Sequence, residues 1–181
     1  MSERDLEPTR RSSWSFKAKL GRTLWSTTWA VLGCCSTTRV MLVRLFGGRV
    51  GARCHIGRGV EIAVPWHLRV GDDVMIGDEV VLYSLGEIEL ESGAQVDVRA
   101  HLCAGTHDHR APGFPLIRSP IHIGADARIG ASAFIGPGVR VGERSGVAPQ
   151  AAVFRDVPPD TRVRGNPARV DEETSANEVS S

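Results

Sequence analysis

Aliphatic residues recur every six positions along most of this chain. The series runs Val50, Ile56, Ile62, then Val70, Ile76, Leu82, then Leu90, Val96, Leu102. After a longer gap it continues unbroken through Ile123, Ile129, Ile135, Val141, Val147 and Val153. In a chain that is 41% hydrophobic, a run of fifteen such hits arises by chance on the order of once in a million. The next residue is Gly at 51, 57, 71, 77, 124, 130, 136 and 142. The fourth after it is small or Val almost throughout, as at Val60, Val74, Val80, Ala94, Ala100, Ala127, Ala133, Val139 and Ala151. A period of six is not the 3.6 of a helix, and the turn signals of a hairpin-built sandwich are missing. It predicts short parallel strands on the walls of a narrow prism. Each aliphatic points inward, each Gly supplies a permissive turn, and each small residue suits the tight interior. At three units per turn, the repeats make about five coils, each covering the apolar face of the one below.

The breaks in the repeat carry functional information. Spacing widens to eight residues between Ile62 and Val70, to eight between Leu82 and Leu90, and to twenty-one between Leu102 and Ile123. Each break follows the third strand of a coil, so all three extra segments leave the prism at one corner. With coils about 4.8 Å apart, Pro65-Trp66-His67, Tyr83-Ser84-Leu85-Gly86 and Thr106-His107-Asp108-His109 are expected side by side. Irregular loops aligned on a rigid scaffold are where a site belongs. The long segment from Asp108 to Pro120 carries Phe114, Leu116, Ile117 and several prolines, which predicts packing against a partner subunit.

Upstream of the coil, residues 14–48 read as a helical arm rich in Trp, Leu and Thr. Its sixteen uncharged residues between Arg22 and Arg39 fall short of a bilayer span, and no signal-peptide cleavage pattern follows. Two readings of the arm stand. It packs on protein, or it touches a membrane surface through Trp14, Trp25 and Trp29 beside Lys17, Lys19 and Arg22. Residues 1–13 and 171–181 are apolar-poor and predict flexible tails. The coil domain spans 49–158 and a C-terminal segment 159–170. One domain suits 181 residues. A net charge of +1 gives no global field for nucleic acid. Cys34, Cys35, Cys54 and Cys103 form neither a metal nor a disulfide framework, which suits a reducing cytoplasm.

Among six histidines, only His107 and His109 stand where the coil gives way to the long segment. His101, at the last position of its hexapeptide, reads as a surface or interface residue at a turn. An imidazole, with an ordinary pKa near 6.5, is the side chain suited to take a proton from a reacting group at neutral pH.

The stretches PWHLRVGDDVMIGDEVVLYSLGEIEL, LCAGTHDHRAPGFPLIRSPIHIG, FIGPGV and RDVPPDTRVRGNPAR resemble the colanic acid biosynthesis acetyltransferase group, relatives of the maltose and galactoside O-acetyltransferases. The resemblance covers residues 41 to 170. It implies an all-β fold, a left-handed parallel β-helix, in a homotrimer, with acetyl-CoA as co-substrate and a sugar or polysaccharide-precursor acceptor. It makes His107 the general base of a direct transfer, with Asp108 shaping the loop or touching the acceptor. Tyr83, Ser84 and Trp66 are expected on the acceptor side, Ser84 standing where relatives commonly carry Asn. Gly130, Ala131 and Ala148 match positions along the pantetheine arm. Arg155, Pro167 and Arg169, within the 159–170 segment and the turn before it, match the phosphate end, which an arginine fork suits. No metal is implied. Rival readings are a γ-carbonic-anhydrase-like zinc enzyme using His101, His107 and His109, a non-catalytic coil scaffold, and an acetyltransferase of antibiotic-type small alcohols.

Overall fold

The computed structural model describes residues 16–33, 35–108 and 111–171. Two helices, α1 (Phe16–Leu32) and α2 (Ser36–Leu45), precede a left-handed parallel β-helix. The first wall of the prism stacks Arg49–Val50, Leu68–Val70, Ile88–Leu90, Ile121–Ile123 and Arg140–Val141. The second stacks His55–Ile56, Met75–Ile76, Gln95–Val96, Arg128–Ile129, Gly146–Val147 and Arg162–Arg164. The third stacks Glu61–Ile62, Val81–Tyr83, His101–Cys103, Phe134–Ile135 and Ala152–Val153. The six-residue series is therefore in register from coil to coil, Val70 opposite Leu90, Ile76 opposite Val96, Leu102 opposite Ile135. All of these aliphatics are buried except Val50, which is partly buried at the first coil.

Two expectations need correction. The coils do not stop at five: Val157 bridges to Val141 and Val163 pairs with Val147, beginning a sixth coil that the antiparallel strand Arg169–Val170 closes. The glycine after each aliphatic is also not the conformational hinge. The left-handed residue is two places later, as at Asp73, Glu79, Arg99 and Ser132, with φ between 56° and 58°. The glycine is needed because the next coil passes too close. A Cβ on Gly130 would stand 2.6 Å from the backbone nitrogen of Pro149.

The helices finish the N-terminal edge. In this stack each coil donates backbone N–H groups to carbonyls of the next, as Gly57 does to Ile76. Carbonyls of the first coil therefore lack a donor from a preceding one. Four side chains supply it: the Trp25 indole to Ile62 (2.7 Å), the Trp29 indole to Val60 (3.0 Å), Arg39 to Ile56 (3.0 Å) and Arg44 to Val50 and Gly51. Trp25 and Trp29 thus face the coil, and that part of the expected membrane contact is not available; Trp14 lies outside the described residues, as do most of both tails. Among the described residues no helix is long and apolar enough to cross a membrane.

Candidate active site

The three breaks stack at the corner after the third wall. The first is a short 3-10 turn, Pro65–His67, and the third is an antiparallel hairpin of Gly105–His107 with Leu116–Arg118. They are tied together by backbone bonds: Ala104 N–H to Tyr83 (3.1 Å) and Gly86 N–H to Ala104 (3.0 Å). Gly105 is required here, since a Cβ on it would lie 2.8 Å from the Leu85 side chain.

Ser84 joins the first two layers. Its hydroxyl accepts from Val64 N–H and donates to Val64 C=O, both at 2.9 Å, and the residue is fully buried. That corrects its expected role, because a hydroxyl committed inward cannot donate to an acceptor. Trp66 is partly buried. It is wedged between the arm and the coil, its ring 3.4 Å from where a Cβ on Gly21 would be, and close to Gly47. Tyr83 keeps an exposed ring, edge-on to His101.

His107 lies on the hairpin, opposite Leu116, and is exposed. Its Nδ1 is 2.7 Å from the carbonyl oxygen of Phe114. A carbonyl only accepts, so Nδ1 carries the proton and Nε2 presents a lone pair. Phe114 itself is left-handed, with φ 47°, and Asp108 N–H continues the hairpin to Pro115 C=O at 3.0 Å. The half-buried Asp108 therefore has a backbone role in shaping the loop. His109 lies outside the described residues. Cys103 ends its strand with its thiol bonded to Gly105 C=O at 3.1 Å. His101 is not in a turn. It points outward from the third wall, half-buried between Tyr83 and Phe134, and burial pushes its pKa below the ordinary 6.5, against the attraction of Glu61.

Gly130 and Ala148 line a groove of about 490 Å³ on the second wall. Ala131, beside Gly130, accepts from Gln150 N–H at 2.9 Å. Arg155, Pro167 and Arg169 surround a cavity of about 380 Å³ near the C-terminal end. Val163 borders both spaces. The groove has a shape that the repeat alone did not suggest. On the second wall Arg128, Gly146 and Arg162 stand in register, so the missing side chain of Gly146 leaves a gap between two arginines. The signal was present, since Gly146 is the only glycine immediately before an aliphatic of the series.

A prism with a histidine-bearing hairpin at one corner and a groove along one wall defines a class, that of the hexapeptide-repeat transferases. A solved hexapeptide-repeat acetyltransferase from Vibrio cholerae superposes with a TM-score of 0.80 at 26% identity, over 87% of this chain and 93% of its own. A galactoside acetyltransferase in complex with coenzyme A shares the fold, with a TM-score of 0.80 at 18% identity over 89% of this chain and 84% of its own. No family model matches the sequence. WcaF of Escherichia coli strain K12, described as a candidate acetyltransferase of colanic acid biosynthesis, is 38% identical over 132 residues, 73% of this chain and 72% of its own. The chain belongs to that family of hexapeptide-repeat acetyltransferases.

Proposed function

We propose that this acetyltransferase moves the acetyl group of acetyl-CoA to a sugar hydroxyl, in the building of an exopolysaccharide, with His107 as general base. The observation that carries the mechanism is the Phe114 carbonyl on Nδ1, which leaves Nε2 as the proton acceptor. Nε2 takes the hydroxyl proton while the oxygen bonds to the thioester carbon. The carbon–sulfur bond then breaks, and the departing thiolate takes the proton from the imidazolium. No acetyl-enzyme is formed. Exposed Tyr83 and the Asp108 turn flank the acceptor. The pantetheine arm follows Gly130, Ala131 and Ala148, and the phosphates meet Arg155 and Arg169 beside Pro167.

The reading includes a homotrimer, in which the hairpin residues Phe114 and Ile117, both exposed in one chain, pack on a neighbour. It places the enzyme in the cytoplasm, where acetyl-CoA is available. A screen of hydroxylated sugars and small alcohols, read by CoA release and by the mass and NMR position of the new acetyl group, tests the acceptor. Acetylation confined to non-sugar alcohols or to amines refutes the sugar assignment. A stable monomer by light scattering at micromolar concentration refutes the trimer.

A further inference from the structure

The balanced net charge hides a polarised chain. Between Pro8 and Val60 stand ten Lys and Arg and no Asp or Glu, while the other residues hold twelve Lys and Arg against 21 Asp and Glu. This acid-free stretch contains both helices of the arm. One face of α1 is committed to the coil through Trp25 and Trp29, and α2 is committed through Arg39, Val40, Leu42 and Val43. What remains outward mixes hydroxyls that bond back to their own helix, those of Thr23, Ser26 and Thr27, with a row of aliphatic side chains. Leu20, Leu24 and Val31 fall within about 40° of one another on a helix of 3.6 residues per turn, roughly opposite Trp29 and about 100–140° round from Trp25. Val31 and Leu45 are 76% and 77% exposed, and Met41 is also exposed. Val31, Leu32, Met41 and Leu45 line one continuous apolar groove across the two helices, with Arg44 at its edge.

We propose that this second face of the arm is a docking surface for an anionic lipid bilayer. A helix pair lying in the interfacial plane would bury the aliphatic row among acyl chains, with its cations at headgroup level. The charges fit that geometry. Lys19 is exposed on the flank of α1, about 100° round from Leu20 and beside a cavity it shares with Glu61, and a lysine stem can run along apolar surface from there to reach a headgroup. Arg44 bonds to the neutral carbonyls of Val50 and Gly51, so its charge is not cancelled there. Neither helix of the arm carries a carboxylate of its own, so the helices add no repulsion toward an anionic surface; the nearest carboxylates, such as Glu61 and Asp73, belong to the coil. The contact differs from one made through tryptophans, since Trp25 and Trp29 cap the coil on a different face.

Flotation of the full-length protein with vesicles of phosphatidylcholine containing roughly a third phosphatidylglycerol, and with pure phosphatidylcholine vesicles, tests the proposal. The anionic vesicles should carry the protein up, and the neutral ones should carry at least tenfold less. Val31→Ser with Leu45→Ser should cut partition at least tenfold with the melting temperature little changed, and Lys19→Glu should weaken it while flattening its dependence on salt, because less Coulombic attraction is left to screen. Equal recovery with both vesicles, or none with either, overturns the proposal. So does a Val31→Ser, Leu45→Ser protein whose subunits come apart in vesicle-free solution, because the face is then a contact between copies of this chain.

Discussion

Replacing His107 by Ala separates a catalytic role from a structural one with unusual clarity. The side chain is exposed on a two-stranded hairpin, so its removal opens no cavity in the prism. The structural loss is one hydrogen bond, Nδ1–H to Phe114 C=O at 2.7 Å, worth about 0.5–1.5 kcal/mol. In a chain of this length that lowers the melting temperature by only about 2–4 °C per kcal/mol. Loss of a general base costs about 10² to 10⁴ in rate, or about 2.7–5.4 kcal/mol in the barrier. Turnover should therefore collapse while the fold and the affinity for acetyl-CoA persist. The measurement is initial-rate release of CoA at saturating acetyl-CoA with a verified acceptor, beside thermal melts and binding of CoA to the variant. His107→Gln should behave alike, since a side-chain amide accepts no proton at neutral pH. A His107→Ala enzyme that keeps more than a tenth of its turnover refutes the reasoning, and so does a trapped acetyl group on Cys103.

Arg155→Ala and Arg169→Ala should each raise KM for acetyl-CoA more than they lower kcat, because contacts to a remote phosphate bind ground and transition states alike; a fall in kcat alone would show the cavity near the C-terminal end serves something else. Ser84→Ala strands the buried N–H and C=O of Val64, and should cost about 2–4 kcal/mol by denaturant titration at fixed protein concentration; a loss under about 0.5 kcal/mol would mean water replaces the hydroxyl. His101 predicts an acid-labile element. Its folded pKa lies below the unfolded one, so the unfolded chain binds more protons as pH falls through the ordinary histidine value of about 6.5, and stability declines there until the folded pKa is passed. His101→Phe should flatten the decline in melting temperature between roughly pH 7 and 5; an unchanged slope would assign the acid sensitivity to another group.

The corner site was legible because a solenoid converts sequence spacing directly into spatial position. Once Ile62, Leu82 and Leu102 are recognised as the third strands of successive coils, the segments after them must stack. Side-chain direction was not legible. Ser84 and Trp66 occupy the expected corner, yet one turns into Val64 and the other meets the arm at Gly21. The glycine rule was misread for a related reason. A glycine required by a neighbouring backbone looks, in one dimension, the same as a glycine required by its own φ.

By itself the sequence determined the coil, its register, the placement of the three breaks and the candidacy of His107, all consequences of a period that local units repeat. The tertiary structure decided what depends on groups distant in the chain. Phe114 sets the proton of His107 only because the hairpin folds back on itself. Trp25, Trp29, Arg39 and Arg44 become caps only because parallel stacking leaves first-coil carbonyls without donors. With those four side chains turned inward to satisfy hydrogen bonds, it is the aliphatic row of Leu20, Leu24 and Val31 that remains in the open.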